Sequence, residues 1–121
     1  MANWYNTQFI ANDKDIIRLI EDGVTRDFSY NKQDCTGYCK LRNGLNALDI
    51  DAIKSTAKNN NSTFHIETSD IMTDTFICWA YMRGEEVSYN NTKLSKHTED
   101  LNKAYDMLYS IDENIQHIDN Q

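Results

Sequence analysis

The sequence contains no proline, four glycines and three cysteines among its 121 residues. The glycines, at 23, 37, 44 and 84, match neither of the glycine-rich phosphate-binding fingerprints. No Gly-x-Ser-x-Gly segment is present, so the nucleophile elbow of the α/β-hydrolases is missing as well. An odd number of cysteines without framework spacing predicts reduced thiols rather than disulfides. These absences exclude the common nucleotide-binding and serine hydrolase motifs.

Long apolar stretches are also absent. No run approaches the roughly 18 apolar residues that a membrane-spanning helix needs. The opening residues, Met-Ala-Asn-Trp-Tyr-Asn, have neither the basic nor the apolar region of a secretory signal. We therefore expect a cytoplasmic protein without a membrane partner.

Positive charge is scarce, because 12 Lys and Arg residues face 19 Asp and Glu residues, for a net charge of −7. This balance opposes binding to nucleic-acid backbones, so we expect no direct nucleic-acid partner. It favours a protein partner that has a basic surface. The hydrophobic fraction of 40% falls in short periodic blocks. Together with the length, it predicts a single domain over residues 1–121.

Hydrophobic periodicity in the first half predicts strands and helices in alternation. Aromatic and β-branched residues predict a strand at 3–10, and a one-sided apolar pattern predicts a helix at 13–22. Residues 24–34 follow neither period and are predicted to form a long loop. Alternation at 35–41 predicts a second strand, and a second helix is expected at 47–58. The candidates for the N-cap of that helix are Asn46 and Asp49.

The second half is richer in strand patterns. Alternation predicts strands at 64–69 and 76–82, with a tight connection at 70–74 and a short edge strand at 85–89. The strand at 76–82 is apolar on both faces, which predicts a position covered on both sides. The predicted core consists of Phe9, Ile17, Ile20, Leu48, Ile53, Ile66, Phe76 and Cys78.

The last segment, 95–119, is predicted to form a long helix with an apolar seam at spacings of three and four residues. That spacing is typical of coiled coils, so we predict a homodimer. The alternative is an amphipathic helix that covers the sheet of its own chain. The predicted oligomer interface consists of Leu101, Leu108, Ile111 and Ile115.

The order of elements predicts an α+β fold. Two βαβ-like halves forming one antiparallel sheet with two helices correspond to the ferredoxin-like plan. Residues 1–94 would form this core, and the long C-terminal helix would be an addition at 95–119.

The chain resembles the small ferredoxin-like proteins of phages and plasmids that begin Met-Ala/Pro-Asn-Trp-Cys. The resemblance lies in Met1-Ala2-Asn3-Trp4, in the helix start Asn12-Asp13-Lys14-Asp15, and in the order of elements over 64–87, with its turn at Gly84-Glu85. Tyr5 stands where that family usually has Cys. The resemblance implies the fold and a phage or plasmid setting, hence a host cytoplasm, and it transfers no catalytic residue.

The candidate reactive side chains are few. Cys35 and Cys39 would lie about 13 Å apart along a strand, too far for one zinc ion. His65 and Glu67, two residues apart on the polar face of a strand, form a pair capable of acid–base chemistry. Tyr38, Trp79 and Tyr81 would form an aromatic sheet face only if their strands present them to the same side. The residues predict no catalytic centre, metal site or cofactor.

Three functions are consistent with these observations. The first is an acidic, non-enzymatic phage or mobile-element protein that inhibits a host defence complex, for example a CRISPR effector, by occupying its basic surface. The second is a small-molecule-binding domain or small enzyme with a pocket near His65 and Glu67. The third is a structural homo-oligomer. The predicted partner-binding residues of the first are Glu85, Glu86, Asp100, Asp106, Asp112 and Glu113.

Overall fold

A computed structural model describes residues 3–24 and 26–97. Six antiparallel strands form one sheet in the order β2-β3-β1-β4-β5-β6, so the predicted α+β class is confirmed. Short 3-10 helices lie at Gly44–Ala47 and Ser95–His97. The main elements are β1 (Trp4–Ala11), α1 (Lys14–Gly23), β2 (Arg26–Asn31), β3 (Thr36–Arg42), α2 (Ile50–Asn60), β4 (Phe64–Asp70), β5 (Thr75–Met82) and β6 (Glu85–Lys93).

Both helices pack on the same face of the sheet. α1 buries Ile16 and Ile20, and α2 buries Ile53 and Ala57. Asp49 caps α2 by accepting a hydrogen bond from the Ala52 backbone N–H at 3.1 Å. The cap stabilises α2 because it satisfies an N–H that has no partner inside the helix. Of the two predicted candidates, Asn46 and Asp49, it is therefore Asp49 that caps α2.

The predicted core is correct except on one strand. Phe9, Ile20, Leu48, Ile53 and Ile66 are buried, and Ile17 is half-buried against them. On β5, however, the buried side chains are Ile77, Trp79 and Tyr81. Because side chains alternate along a strand, Phe76 and Cys78 point to the opposite face. The prediction that these two belong to the core was wrong, since both faces of this strand read as apolar in the sequence.

The predicted loop at 24–34 was also wrong, because residues 26–31 form the edge strand β2. Phe28 and Tyr30 pack on Phe9, with ring centroids 6.0 Å away in each case. The pairing of β2 with β3 shifts register between Arg26 and Ser29, and Asp27 has a φ of 58°. This β-bulge breaks the two-residue period that identifies a strand in a sequence.

The predicted edge strand at 85–89 is β6, which is longer and ends at Lys93. After it, the backbone and carboxylate of Asp74 accept hydrogen bonds from Leu94 and Ser95 at 3.0 and 2.7 Å. The first three residues of the helix predicted at 95–119 form the 3-10 helix Ser95–His97, and its remainder, 98–119, lies outside the described residues. None of the described helices is both long enough and apolar enough to cross a membrane.

Asp13 joins the start of α1 to the end of α2. Its carboxylate accepts hydrogen bonds from the Asp15 N–H at 2.9 Å, from the Asn60 side chain at 3.1 Å and from the Ser62 hydroxyl. Burial acts to raise the pKa of Asp13, but these hydrogen bonds outweigh it, and the pKa is lowered.

We expect Asp13→Ala to lower the free energy of unfolding by about 1–2 kcal/mol at neutral pH, because a helix cap is lost. A lowered pKa in the folded state stabilises the protein above the unfolded pKa of about 3.9 and ceases to do so as the pH falls through the folded value. In urea titrations, the difference in stability between wild type and variant should therefore shrink as the pH is lowered below about 3.9. Asp22→Ala, an exposed change in the same helix, is the control. Equal stabilities at pH 7 would contradict the prediction.

Candidate metal site on the open face of the sheet

The helices α1 and α2 pack on one face of the sheet, which leaves the opposite face without a helix of this pair. We call it the open face. Alternation along the strands and the strand registers place its side chains. It includes Trp4, Gln8, Tyr38, His65, Glu67 and Cys78.

Three potential metal ligands meet near the middle of the open face. His65 and Glu67 lie on β4, and the register places Cys78 of β5 directly opposite Glu67. His65 Nε2 lies 3.0 Å from Cys78 Sγ and 3.5 Å from Glu67 Oε1. All three ligand atoms lie within 4.8 Å of one another. We call these residues the His-Glu-Cys cluster.

The His-Glu-Cys cluster is partly buried but still reachable by solvent. The side chains of His65 and Glu67 are 31% and 16% exposed. Burial raises the pKa of Glu67, opposed by the charge of His65. Burial also raises the pKa of Cys78, and the neighbouring Glu67 carboxylate raises it further. The carboxyl and thiol therefore hold their protons more tightly than they would in water.

The atoms of the cluster match the preferences of zinc. Imidazole nitrogen, carboxylate oxygen and thiolate sulfur are its usual protein ligands. From bond lengths of about 2.0–2.3 Å, ligand atoms around a tetrahedral zinc ion lie about 3.3–3.8 Å apart. The distances from His65 Nε2 to the other two ligand atoms, 3.0 and 3.5 Å, require only small adjustments. A zinc ion held by three protein ligands keeps a fourth position for water or another ligand.

Sequence reasoning identified two of the three members. It paired His65 with Glu67 but treated Cys78 as a core residue, and the face that Cys78 occupies became visible only through the pairing of β4 with β5. The other thiols lie elsewhere, with Cys39 buried among the core residues and Cys35 in the turn before β3. The aromatic face proposed for Tyr38, Trp79 and Tyr81 does not form, because Trp79 and Tyr81 point toward the helices.

The three thiols should differ in reactivity. Burial raises the pKa of Cys39 to about 12, and its side chain is fully buried. Since the thiolate is the reactive form, we expect iodoacetamide at pH 8 to label Cys35 first, Cys78 more slowly and Cys39 only after unfolding. Peptide mass spectrometry over time would measure the three rates, with labelling in denaturant as the control. Native labelling of Cys39 as fast as Cys35 would contradict this order.

The partner-binding and oligomer residues predicted from the sequence fall into two groups. Glu85 and Glu86 are exposed at the start of β6, where the Glu86 carboxylate accepts a hydrogen bond from Trp79 Nε1 at 3.1 Å. The others lie outside the described residues; they are Asp100, Leu101, Asp106, Leu108, Ile111, Asp112, Glu113 and Ile115. Comparison with known proteins found no matching family model, no matching curated protein and no matching solved structure.

Proposed function

We propose that the protein binds a transition-metal ion, zinc in the first place, through His65, Glu67 and Cys78. The observation that carries this proposal is the convergence of three different ligand atoms within 4.8 Å on the open face. The proposal is a specific form of the second function considered from the sequence, ligand binding near His65 and Glu67, with Cys78 as a third ligand.

The surroundings of the cluster favour an accessible fourth ligand. In the register, Gln8 lies beside Glu67 and Asn90 lies beside Cys78, and both residues are exposed. An amide at each side supplies donors and acceptors for a small ligand bound to the metal. Binding should weaken toward acid pH, because the metal must displace protons from groups whose pKa burial has raised.

Titration with zinc and with cobalt(II) tests the proposal on the full chain. We expect one ion per chain and, with cobalt, the thiolate charge-transfer absorption of a metal–sulfur bond. Cys78→Ser should abolish that absorption, whereas Cys35→Ser should retain it. His65→Ala should weaken zinc binding by more than about 100-fold, since loss of mere outer partners costs about 10–100-fold. Absence of stoichiometric binding, or cobalt absorption unchanged in Cys78→Ser, would overturn the proposal.

The ferredoxin-like plan is part of the same proposal. It is supported by the order of the first four strands, β2-β3-β1-β4, with both helices on one face. β5 and β6 would then extend this core beyond β4. The plan agrees with the suggested resemblance to small phage and plasmid proteins.

The uneven distribution of charge favours a second candidate function. Residues 98–121 hold six acidic residues and one lysine, so they carry −5 of the total charge of −7. An acidic segment of this kind can compete with nucleic acid for basic groups, as in an inhibitor of a host defence complex. Affinity capture from a host lysate should recover a nucleic-acid-handling complex, and should fail with Asp106, Asp112 and Glu113 neutralised. Recovery unchanged by neutralisation would contradict this role.

A homodimer remains a proposal linked to the same segment. Light scattering at micromolar concentration should give twice the mass of one chain. Changing both Leu108 and Ile115 to Asp should give monomers that keep their strand signal in circular dichroism. A monomeric wild type would contradict the dimer.

A further inference from the structure

A second feature of the open face lies on the half of the sheet formed by β2, β3 and β1. Trp4 pairs with Arg42 in the register, and Arg26 pairs with Lys40. Tyr38 lies two residues before Lys40 on β3, on the same face. We call these five residues, two aromatic and three cationic, the basic–aromatic patch.

The cations of the patch outnumber their partners. The Asp27 carboxylate lies 3.5 Å from Lys40 Nζ and 3.9 Å from Arg26 Nε, and Asp27 is 51% exposed. Arg42 is exposed, and no described residue forms an ion pair with it. Two of the three cations therefore share a single carboxylate and the third has no described ion-pair partner, so the patch is locally positive in an acidic protein.

The aromatic rings lie at the two ends of the cation row. The guanidinium of Arg26 lies over the Trp4 ring, 5.4 Å from its centroid. Tyr38 is 37% exposed, and its hydroxyl donates to Asn6 Oδ1 at 3.2 Å, which holds the ring in place. Along β3, Tyr38 and Arg42 are about 13 Å apart, from a rise of about 3.3 Å per residue.

We propose that the basic–aromatic patch binds a short stretch of single-stranded nucleic acid. One unpaired base would stack on Tyr38, and a second would stack on Trp4 in place of the Arg26 guanidinium. Arg26 would then contact a phosphate, as would Lys40 and Arg42. The ligand is single-stranded because bases inside a duplex do not expose their faces for stacking. This inference is independent of the metal site.

The net charge of −7 does not conflict with the patch. At an ionic strength of 0.15 M, charges are screened over about 8 Å, so an incoming strand responds chiefly to groups near its own path. The expectation of no direct nucleic-acid partner came from the total charge, and that total does not describe the distribution over this face. The six acids after residue 97 should weaken binding without preventing it at low salt.

Fluorescence anisotropy of a labelled oligothymidylate tests the proposal with the full chain. We expect saturable binding at low salt, with a slope of log affinity against log salt of about −2 for three phosphates. Lys40→Glu with Arg42→Glu should reduce the affinity by more than about tenfold. The matched control is Lys54→Glu with Lys58→Glu, the same charge change at exposed positions of α2, and it should have a much smaller effect.

The stacking component needs its own test. Tyr38→Leu keeps every charge and should still lower the affinity by about fivefold or more, because each base–aromatic stack contributes at least about 1 kcal/mol. Oligothymidylate should quench the fluorescence of Trp4 in the Trp79→Phe variant, which leaves Trp4 as the only tryptophan. Denaturation curves of each variant should show that it folds.

Three outcomes would overturn the proposal. The first is no binding of the oligonucleotide at low salt. The second is an equal loss in the two double variants, which would assign the effect to total charge. The third is an unchanged affinity in Tyr38→Leu together with equally tight binding of polyglutamate, which would make the patch a general anion site.

Discussion

Trp79→Ala is expected to lower the free energy of unfolding by about 3–5 kcal/mol, the usual cost of truncating a buried tryptophan. Trp79 is 1% exposed and is the largest of the fully buried side chains. Its ring contacts Phe64 and Tyr81 edge-on, with centroid distances of 5.2 and 5.5 Å. Removing it leaves a cavity beneath β5 that these two rigid rings cannot fill. Because small domains have a free energy of unfolding of only about 5–15 kcal/mol, this loss is a large fraction of the total stability.

Urea denaturation followed by circular dichroism measures this loss. Trp79→Phe is the matched control, because it keeps an aromatic ring and removes only part of the side-chain volume. It also removes the 3.1 Å hydrogen bond from Trp79 Nε1 to the exposed Glu86. We expect the control to lose clearly less stability than Trp79→Ala. A cost for Trp79→Ala below about 1 kcal/mol would show that the core does not depend on this ring.

Gly37→Ala should be the most disruptive single methyl addition among the strands. An added Cβ would lie 2.0–2.5 Å from three atoms of the Phe9 ring, which packs directly over Gly37. Phe9 cannot move aside easily, since it stacks against Tyr30 and Phe28 at centroid distances of 6.0 Å. We expect a loss of about 1–3 kcal/mol, typical of an overpacked core.

A double-mutant cycle would show that Phe9 is the cause. Phe9→Leu makes room for the methyl group, so the double variant should be more stable than the sum of the two single changes predicts. Ser29→Ala, an exposed change on the neighbouring strand β2, should alter stability by less than about 0.5 kcal/mol. Strict additivity of Gly37→Ala and Phe9→Leu would contradict the proposed contact.

The proposed metal site and the basic–aromatic patch lie on different parts of the same face. The His-Glu-Cys cluster lies on β4 and β5, whereas the patch lies on β1, β2 and β3. Variants in one need not disturb the other, so zinc binding and oligonucleotide binding can be tested separately. If zinc alters the affinity for the oligonucleotide, the open face acts as one surface.

Hydrophobic periodicity was enough to predict an element where one side of it is buried and the other is exposed. Alternation at 35–41 identified the strand whose buried residues are Gly37, Cys39 and Leu41. The apolar spacing of 13–22 and 47–58 located α1 and most of α2, and Asp49 was among the predicted caps of α2. In each case one side of the element is apolar and the other polar, so the spacing of apolar residues in the sequence shows which side is buried.

The pairing of strands and their packing against the helices decided which face a residue occupies where the sequence pattern is ambiguous. On β5 both faces are apolar, so only packing against α1 and α2 assigned Trp79 to the core and Cys78 to the open face. β2 carries a bulge and lies at the edge of the sheet, and its Phe28 contacts Phe9. The bulge interrupts the alternation of apolar and polar residues, so the sequence pattern of this strand is weak. The distances within the His-Glu-Cys cluster and the gathering of Trp4 with Arg26 and Arg42 depend on strand register. Register joins residues that are distant in sequence, so periodicity along a single strand does not encode it.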